Sequence, residues 1–330
     1  RRRHYFSRQP GCRHSLCLCK PQDTIRLGSA MADNRANVIL PGLRLSKEQR
    51  RRLTYELKHL PWIPLITIGI MVFAAIFAPI LAPYSPTKQT LPDKLLPPAW
   101  QEEGTSEHLL GTDILGRDIL SRLIHGARVS MIVASTALLS GGVVGGALGI
   151  VSGYVGGKVD TLIMRAVDAT LAFPTILFAL LLAVTMGQGV LTVVLAVTLI
   201  LWARFARVTR GEVLALKTND YIALARIHGC SSFRIMAVHI MPNVFNTFMV
   251  MLTLHVGLVI LTEASLSFLG AGIPPPTPSW GQMVADGRAK VASAWWISII
   301  PGLAITMVVI AFNVFGDWLR DRLDPKLRQL

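Results

Sequence analysis

A few groups of residues have the types and spacing to do chemistry. Within DYIALARIHGCSSFRIMAVHIMPN (220–243), His228, Cys230 and His239 offer two imidazoles and a thiol, the ligands zinc prefers. A helix break intervenes at Gly229 and a fourth ligand is missing, so no metal site is expected there. CRHSLCLC (12–19) lacks the paired short gaps of zinc motifs. Asp113 and Asp118 in HLLGTDILGRDILSRLIHGARVS (108–130) could be paired carboxylates for acid–base work. Gly111 and Gly116 mark turns beside them, and each carboxylate can cap the residues just after it, so a structural role is expected. GYVGGKV (153–159) resembles a phosphate loop but has Ser152 where Gly is needed and Val159 where Ser or Thr is needed. Any ATP used by this system is therefore expected to be hydrolysed by another chain. Glu263, at the end of an apolar run, is a functional candidate by default. A contact with a neighbouring subunit or with the polar interface is an equal alternative for it.

The elements that hold these residues are membrane spans. The chain is 52% hydrophobic and 16% charged, well below the roughly 25% charge of soluble domains. Charge-free windows run from His59 to Lys88, Arg128 to Lys158, Asp168 to Arg204, Asn243 to Glu263 and Lys290 to Asp317. The third is too long for one crossing of about 30 Å, and MGQG (186–189) supplies a turn in its middle. Six spans result, with both termini on one side. From residue 31 that side carries 19 Lys/Arg against 7 on the other, which predicts cytoplasmic termini and a cytoplasmic segment 204–243. The net charge of +14 is read as this topological bias. Its residues sit between apolar runs rather than on one face, so nucleic acid is not an expected partner. Gly141, Gly142, Gly145, Gly146 and Gly149 form overlapping small-xxx-small patterns for close helix packing. Residues 1–30 hold seven Lys/Arg, one acid and no apolar core of a secretory signal. The native start is expected at Met31.

The segment 220–243 reads as an elbow of two short helices. Asp220 is expected as an N-cap, and Gly229 as the left-handed residue that ends the first helix. Ser231 or Ser232 can cap the second. There Phe233, Met236, Ala237, Ile240 and Met241 form one apolar stripe, and Pro242 is expected to close the segment. Helices this short are not stable alone, and an exposed apolar elbow suits docking into a partner's groove.

Here the chain resembles a known family. DYIALARIHG…HIMPN is similar to the cytoplasmic EAA loop of ABC-importer permeases, on Asp220, Tyr221, Ala225, Gly229 and His239 to Asn243. The 108–130 motif, with Gly111, Asp113, Gly116, Arg117 and Asp118, resembles the C-type permease of dipeptide, oligopeptide and nickel importers. So do IFAPILAPYSP (76–86) and TEASLSFLGAGIPPPTPSWGQMV (262–284), with Glu263, Ser267, Gly270, Pro278, Trp280 and Gly281. The loop's namesake acid and the Ala after it are Ala223 and Leu224 here, which rules out a salt bridge from that position.

The resemblance implies an all-α integral membrane protein with six transmembrane helices, the type I importer permease fold and an EAA-type coupling loop. Residues 1–59 would be a cytoplasmic N-terminal segment and 60–128 the first span with its outer loop. Residues 129–316 would be the permease core containing the loop 204–243, and 317–330 a cytoplasmic tail. The implied function is peptide import across the inner or plasma membrane of a prokaryote; nickel or another small solute is the alternative cargo. Implied partners are a homologous B-type permease, two ATPase subunits that carry ATP and Mg, an extracytoplasmic substrate-binding protein and membrane lipid. No catalytic residue, metal or cofactor is expected on this chain. A gradient-driven transporter would need charged relays across the core, which the sequence lacks, and a membrane enzyme would need a nucleophile–base set.

Overall fold

The computed structural model describes residues 60–323, and the regular elements among them are helices. The expected segment 1–59, the start at Met31, the 12–19 cysteine cluster and the last seven residues of the tail lie outside the described residues. Five helices are long and apolar enough to cross a membrane. They are α1 (Trp62–Leu81), α2 (Ile119–Val155), α5 (Val190–Leu216), α7 (Ser232–Phe268) and α9 (Trp296–Leu323). A bent pair, α3 (Gly157–Ala172) and α4 (Thr175–Met186), makes the sixth if counted as one broken span. The short helices α6 (Asp220–Ile227) and α8 (Trp280–Gly287) complete the set.

The expected turn at 186–189 is present: α4 stops at Met186, Gly187 has φ 84°, and α5 starts at Val190. The span before it is not one straight rod. Pro174 holds Phe173 in extended backbone (φ −85°, ψ 134°) and ends α3. The two halves then meet at 87°. With 12 residues, α4 is only about 18 Å long, too short to cross alone.

α2 and α5 form the centre, because glycines remove the side chains that would separate them. At Gly145 an added Cβ would stand 2.2 Å from the Trp202 carbonyl oxygen. Gly141, Gly149 and Gly153 face α5 in the same way, while Gly142 and Gly146 face Phe248 of α7. The overlapping small-residue patterns thus serve two different neighbours.

Side-chain bonds define the two ends of the bundle. The Tyr84 N–H donates to Ser121 Oγ (3.1 Å), and Trp280 Nε1 donates to the Leu123 carbonyl (2.9 Å). Gln188 Nε2 donates to the Gly270 carbonyl. These gather the end of α1, the start of α2, the α4–α5 turn, the end of α7 and α8 into a cap. At the other end Lys217 Nζ donates to the Tyr154 carbonyl (2.6 Å), beneath which the elbow lies. α1 rises to the cap, and α9 descends from it, since Trp296 Nε1 donates to the Thr112 carbonyl.

The loop expected at 204–243 is shorter than the charge pattern suggests. Arg207 pairs with Asp168 and Arg210 with Asp160, both on α3. With those charges matched, α5 continues to Leu216. Likewise residues 119–128 belong to α2, and α9 runs to Leu323, so the expected tail is helical over 317–323.

Candidate functional site

The elbow is built by local backbone chemistry. Asn219, not Asp220, holds the N-cap position, with extended backbone (φ −74°, ψ 145°). Its carbonyl accepts from the Ile222 and Ala223 N–H groups. Asp220 is the first helical residue, exposed, its charge favourably placed at the helix N-terminus. α6 ends as expected at Gly229, which has φ 75°. The Gly229 N–H donates to the Arg226 carbonyl (3.0 Å) and the Cys230 N–H to the Ala225 carbonyl (3.1 Å). This is a Schellman cap, and its accompanying apolar contact comes from Cys230, which joins the cluster containing Ala225. The thiol thus has a packing role. Ser231 Oγ then accepts from the Arg234 N–H and starts α7. No metal-holding group of His, Cys, Asp and Glu occurs among the described residues.

The second elbow helix does not stop at Pro242. It is continuous with the rest of α7, through a π-helical turn at Ile235–Ile240. Pro242 sits two residues beyond that turn, just after Met241, whose N–H donates back five residues to the Met236 carbonyl. The wider turn accommodates a residue that lacks an N–H and would crowd the carbonyl four residues earlier. Asn243 Nδ2 donates to the His239 carbonyl.

The π turn also divides the expected stripe. Residues five apart now share a face, so Ile235 and Ile240 are both buried, at 1% and 0% exposure. With Ile222, Ala225 and Val244 they rest on Tyr154 of α2 and Val213 of α5. Met236 and Ala237 are half-buried. Phe233 is 77% exposed, and with Tyr221, Leu224, Ile227, Val238 and Met241 it makes an apolar outer face. Lys217 and Arg226 lie over the Tyr154 ring, at 5.7 and 5.2 Å from its centre. The elbow thus has an inner face fixed to two spans and an outer face with no cover among the described residues.

The other sequence-selected residues gather at the cap, at the opposite end. Asp118 caps α2: its Oδ2 accepts from the Ser121 N–H (2.7 Å), and its Oδ1 meets His108 Nδ1 (3.0 Å). Asp113 holds a turn instead, accepting from the Leu115 and Arg117 N–H groups, with Gly111 and Gly116 at positive φ on either side. Its second oxygen accepts from Arg117 Nε (2.6 Å) and from Arg122 Nη1. Both guanidiniums also donate to the half-buried Asp286 Oδ2 (3.1 and 3.2 Å), which completes a quartet of two positive and two negative charges, the other three of them buried. Trp280 and Pro278 are buried, and an added Cβ at Gly281 would meet the Ala264 carbonyl at 2.3 Å. Gly270, at φ 79°, ends α7 with the same cap geometry as Gly229: Gly270 N–H to Ser267 carbonyl, Ala271 N–H to Leu266 carbonyl.

Glu263 is buried within this chain, not on a surface open to a neighbouring subunit. It is buried against α2, where its carboxylate accepts from Ser130 Oγ (3.2 Å) and Ser267 Oγ (2.9 Å). The partners Arg122, Asp286, His108 and Ser130 were not among the sequence candidates. The one local signal was an Arg four residues after the Asp118 cap.

The sequence-selected residues thus fall at two ends of one helical bundle, an apolar elbow at one and a polar, largely buried cap at the other. Residues 145–329 match the family described as the binding-protein-dependent transport system inner membrane component. Residues 58–98 match the N-terminal TM domain of oligopeptide transport permease C. The chain belongs to the binding-protein-dependent transport permeases. This permease is 41% identical over 264 residues to the di/tripeptide transport system permease protein DppC of Pseudomonas aeruginosa, covering 80% of this chain and 87% of that one. It is 45% identical over 265 residues to the dipeptide transport system permease protein DppC of Escherichia coli K12, covering 80% and 88%. The corresponding protein of Haemophilus influenzae is 40% identical over 267 residues, covering 81% and 90%. The permease is thus a multi-pass inner membrane subunit. The elbow lies inside the matched region, whereas the Asp113 turn falls between the two matched segments.

Proposed function

We propose that this permease carries di- and oligopeptides inward as one half of a translocation path, the other half being a homologous permease. Separate ATPase subunits hydrolyse the ATP, and an extracytoplasmic binding protein delivers cargo to the cap. Both termini and the elbow lie in the cytoplasm, on the side favoured by the Lys/Arg bias. The relatives' peptide cargo supports the choice of substrate. The observation that carries the reading is the two-faced elbow. Its inner face is fixed to α2 and α5 by buried Ile222, Ile235 and Ile240, and its outer face presents Phe233 and Ile227 uncovered. An apolar short helix so presented fits a groove in another protein.

Coupling then rests on continuity. Ser232–Phe268 is one helix, so a push on Phe233 acts directly on a span. ATP binding draws the two ATPases together, the elbows move with them, and the path opens toward the binding protein. Hydrolysis resets it. The test is ATP-dependent uptake of a labelled dipeptide by proteoliposomes containing both permeases and both ATPases, with the binding protein outside. Uptake should require the ATPases and the binding protein. Uptake that persists without the ATPases, or tracks an ion gradient, would overturn the reading.

A further inference from the structure

Three arginines lie three residues apart on α5, at 204, 207 and 210. Two of them have carboxylates on α3: Arg207 with Asp168, and Arg210 with Asp160. Arg204 is half-buried and, among the described residues, has no carboxylate within ion-pair distance. It lines a cleft of about 220 Å³ between α4, α5 and α7, whose wall includes Thr175, Ile200, Leu258, Thr262 and Ser265. Thr262 and Ser265 already donate to the Leu258 and Leu261 carbonyls of their own helix. The guanidinium is therefore the strong donor left for an incoming acceptor.

Depth makes this arrangement informative. Arg204 is 14 residues, about 21 Å, along α5 from its cap end at Val190, a distance shorter than a hydrocarbon core of about 30 Å. A charge at that depth is costly, and charges there characteristically face a path or a partner charge. The cleft is smaller than the roughly 300 Å³ at which small-molecule pockets begin, so it makes one wall of a larger space. A guanidinium fork matches a carboxylate in two-point geometry. We infer that Arg204 receives a carboxylate of the peptide cargo in this cleft during passage. The inference rests on the peptide reading above.

The test uses the assembled importer with its binding protein, native cysteines replaced by serine, and Thr262→Cys as a reporter on the cleft wall. Reaction rates with an anionic and a cationic methanethiosulfonate are compared in the presence of Arg204, Arg204→Lys and Arg204→Gln. The anionic reagent should react about tenfold faster with Arg204 or Lys, and the preference should vanish with Gln. Without the reporter, Arg204→Gln should lower dipeptide uptake by about tenfold or more, the size of one charge-assisted hydrogen bond. Arg204→Lys should retain most uptake, with assembly and ATP hydrolysis unchanged in both. An anionic preference that survives Arg204→Gln overturns the inference, because the guanidinium then faces elsewhere. A lost preference with normal uptake also overturns it, since the cation then serves a lipid or the partner permease. An importer that moves no dipeptide even with Arg204 overturns the peptide reading instead; an intact reagent preference identifies that case.

Discussion

Removing the Phe233 ring separates docking from folding, because the ring is 77% exposed and belongs to none of the apolar clusters among the described residues. An aromatic side chain can bury about 200 Å², so about 150 Å² remains for a partner to cover. At about 25 cal/mol per Å², complete cover contributes about 4 kcal/mol and half cover about 2 kcal/mol. Phe233→Ala should therefore weaken ATPase binding by about 30- to 900-fold. Thermal unfolding of the isolated permease pair should not change. Ile235→Ala is the counterpart. It empties a buried position on the inner face and should cost about 2–5 kcal/mol of stability. The assays are ATPase affinity of the solubilised permease pair, thermal unfolding, and uptake in proteoliposomes. Phe233→Ala permeases that bind ATPase within about threefold of the unaltered protein would refute the outer face as the docking surface. So would a Phe233→Ala permease that unfolds as early as Ile235→Ala.

Gly229→Ala meets no atom within 4 Å of the new Cβ, so its cost is conformational alone, about 1–2 kcal/mol for a left-handed residue. Gly229→Pro cannot reach φ 75° and loses the N–H bond to Arg226. It should abolish ATP-coupled uptake, while cell fractionation still finds the chain in the membrane. Asp286→Ala leaves Arg117 and Arg122 sharing one carboxylate, and should lower stability by about 3–5 kcal/mol in thermal unfolding. Asp286→Leu combined with Arg122→Met should recover much of that loss. Pro242→Ala removes the residue that the π turn accommodates. The helix should gain stability on heating yet transport less peptide per ATP, since the outer face turns relative to the spans.

Much of this architecture is written in local sequence. Apolar length located the long helices, and Gly187, Gly229 and Gly270 mark turns or ends that only residues tolerant of positive φ make easily. Asp118 was legible as a cap because capping is a contact between near neighbours. The features that were missed depend on distance or on an altered period. Arg122 and Asp286 meet across 164 residues, and nothing in either neighbourhood signals the other. Ser130 meets Glu263 across 133 residues in the same way. Pro174 lay in plain view, but the apolar run around it reads as one span until the backbone bends.

The π turn is the instructive case, since it turned a correct list of apolar residues into a wrong face. A helix of 3.6 residues per turn places Phe233, Met236, Ala237, Ile240 and Met241 together. Adding one residue to a turn moves Ile235 onto the face of Ile240 and sends Phe233 and Met241 outward. Pro242 is the sequence's trace of this change, because the extra residue lets an unbroken helix contain a proline near its start. The consequence for coupling is mechanical. A proline that ended the helix would leave a joint between elbow and span, and a joint absorbs motion. The π turn keeps the rod continuous from Ser232 to Phe268 while turning one apolar face inward and another outward. The π turn, by accommodating a residue that looks like a terminator, allows a single helix to be both lever and span.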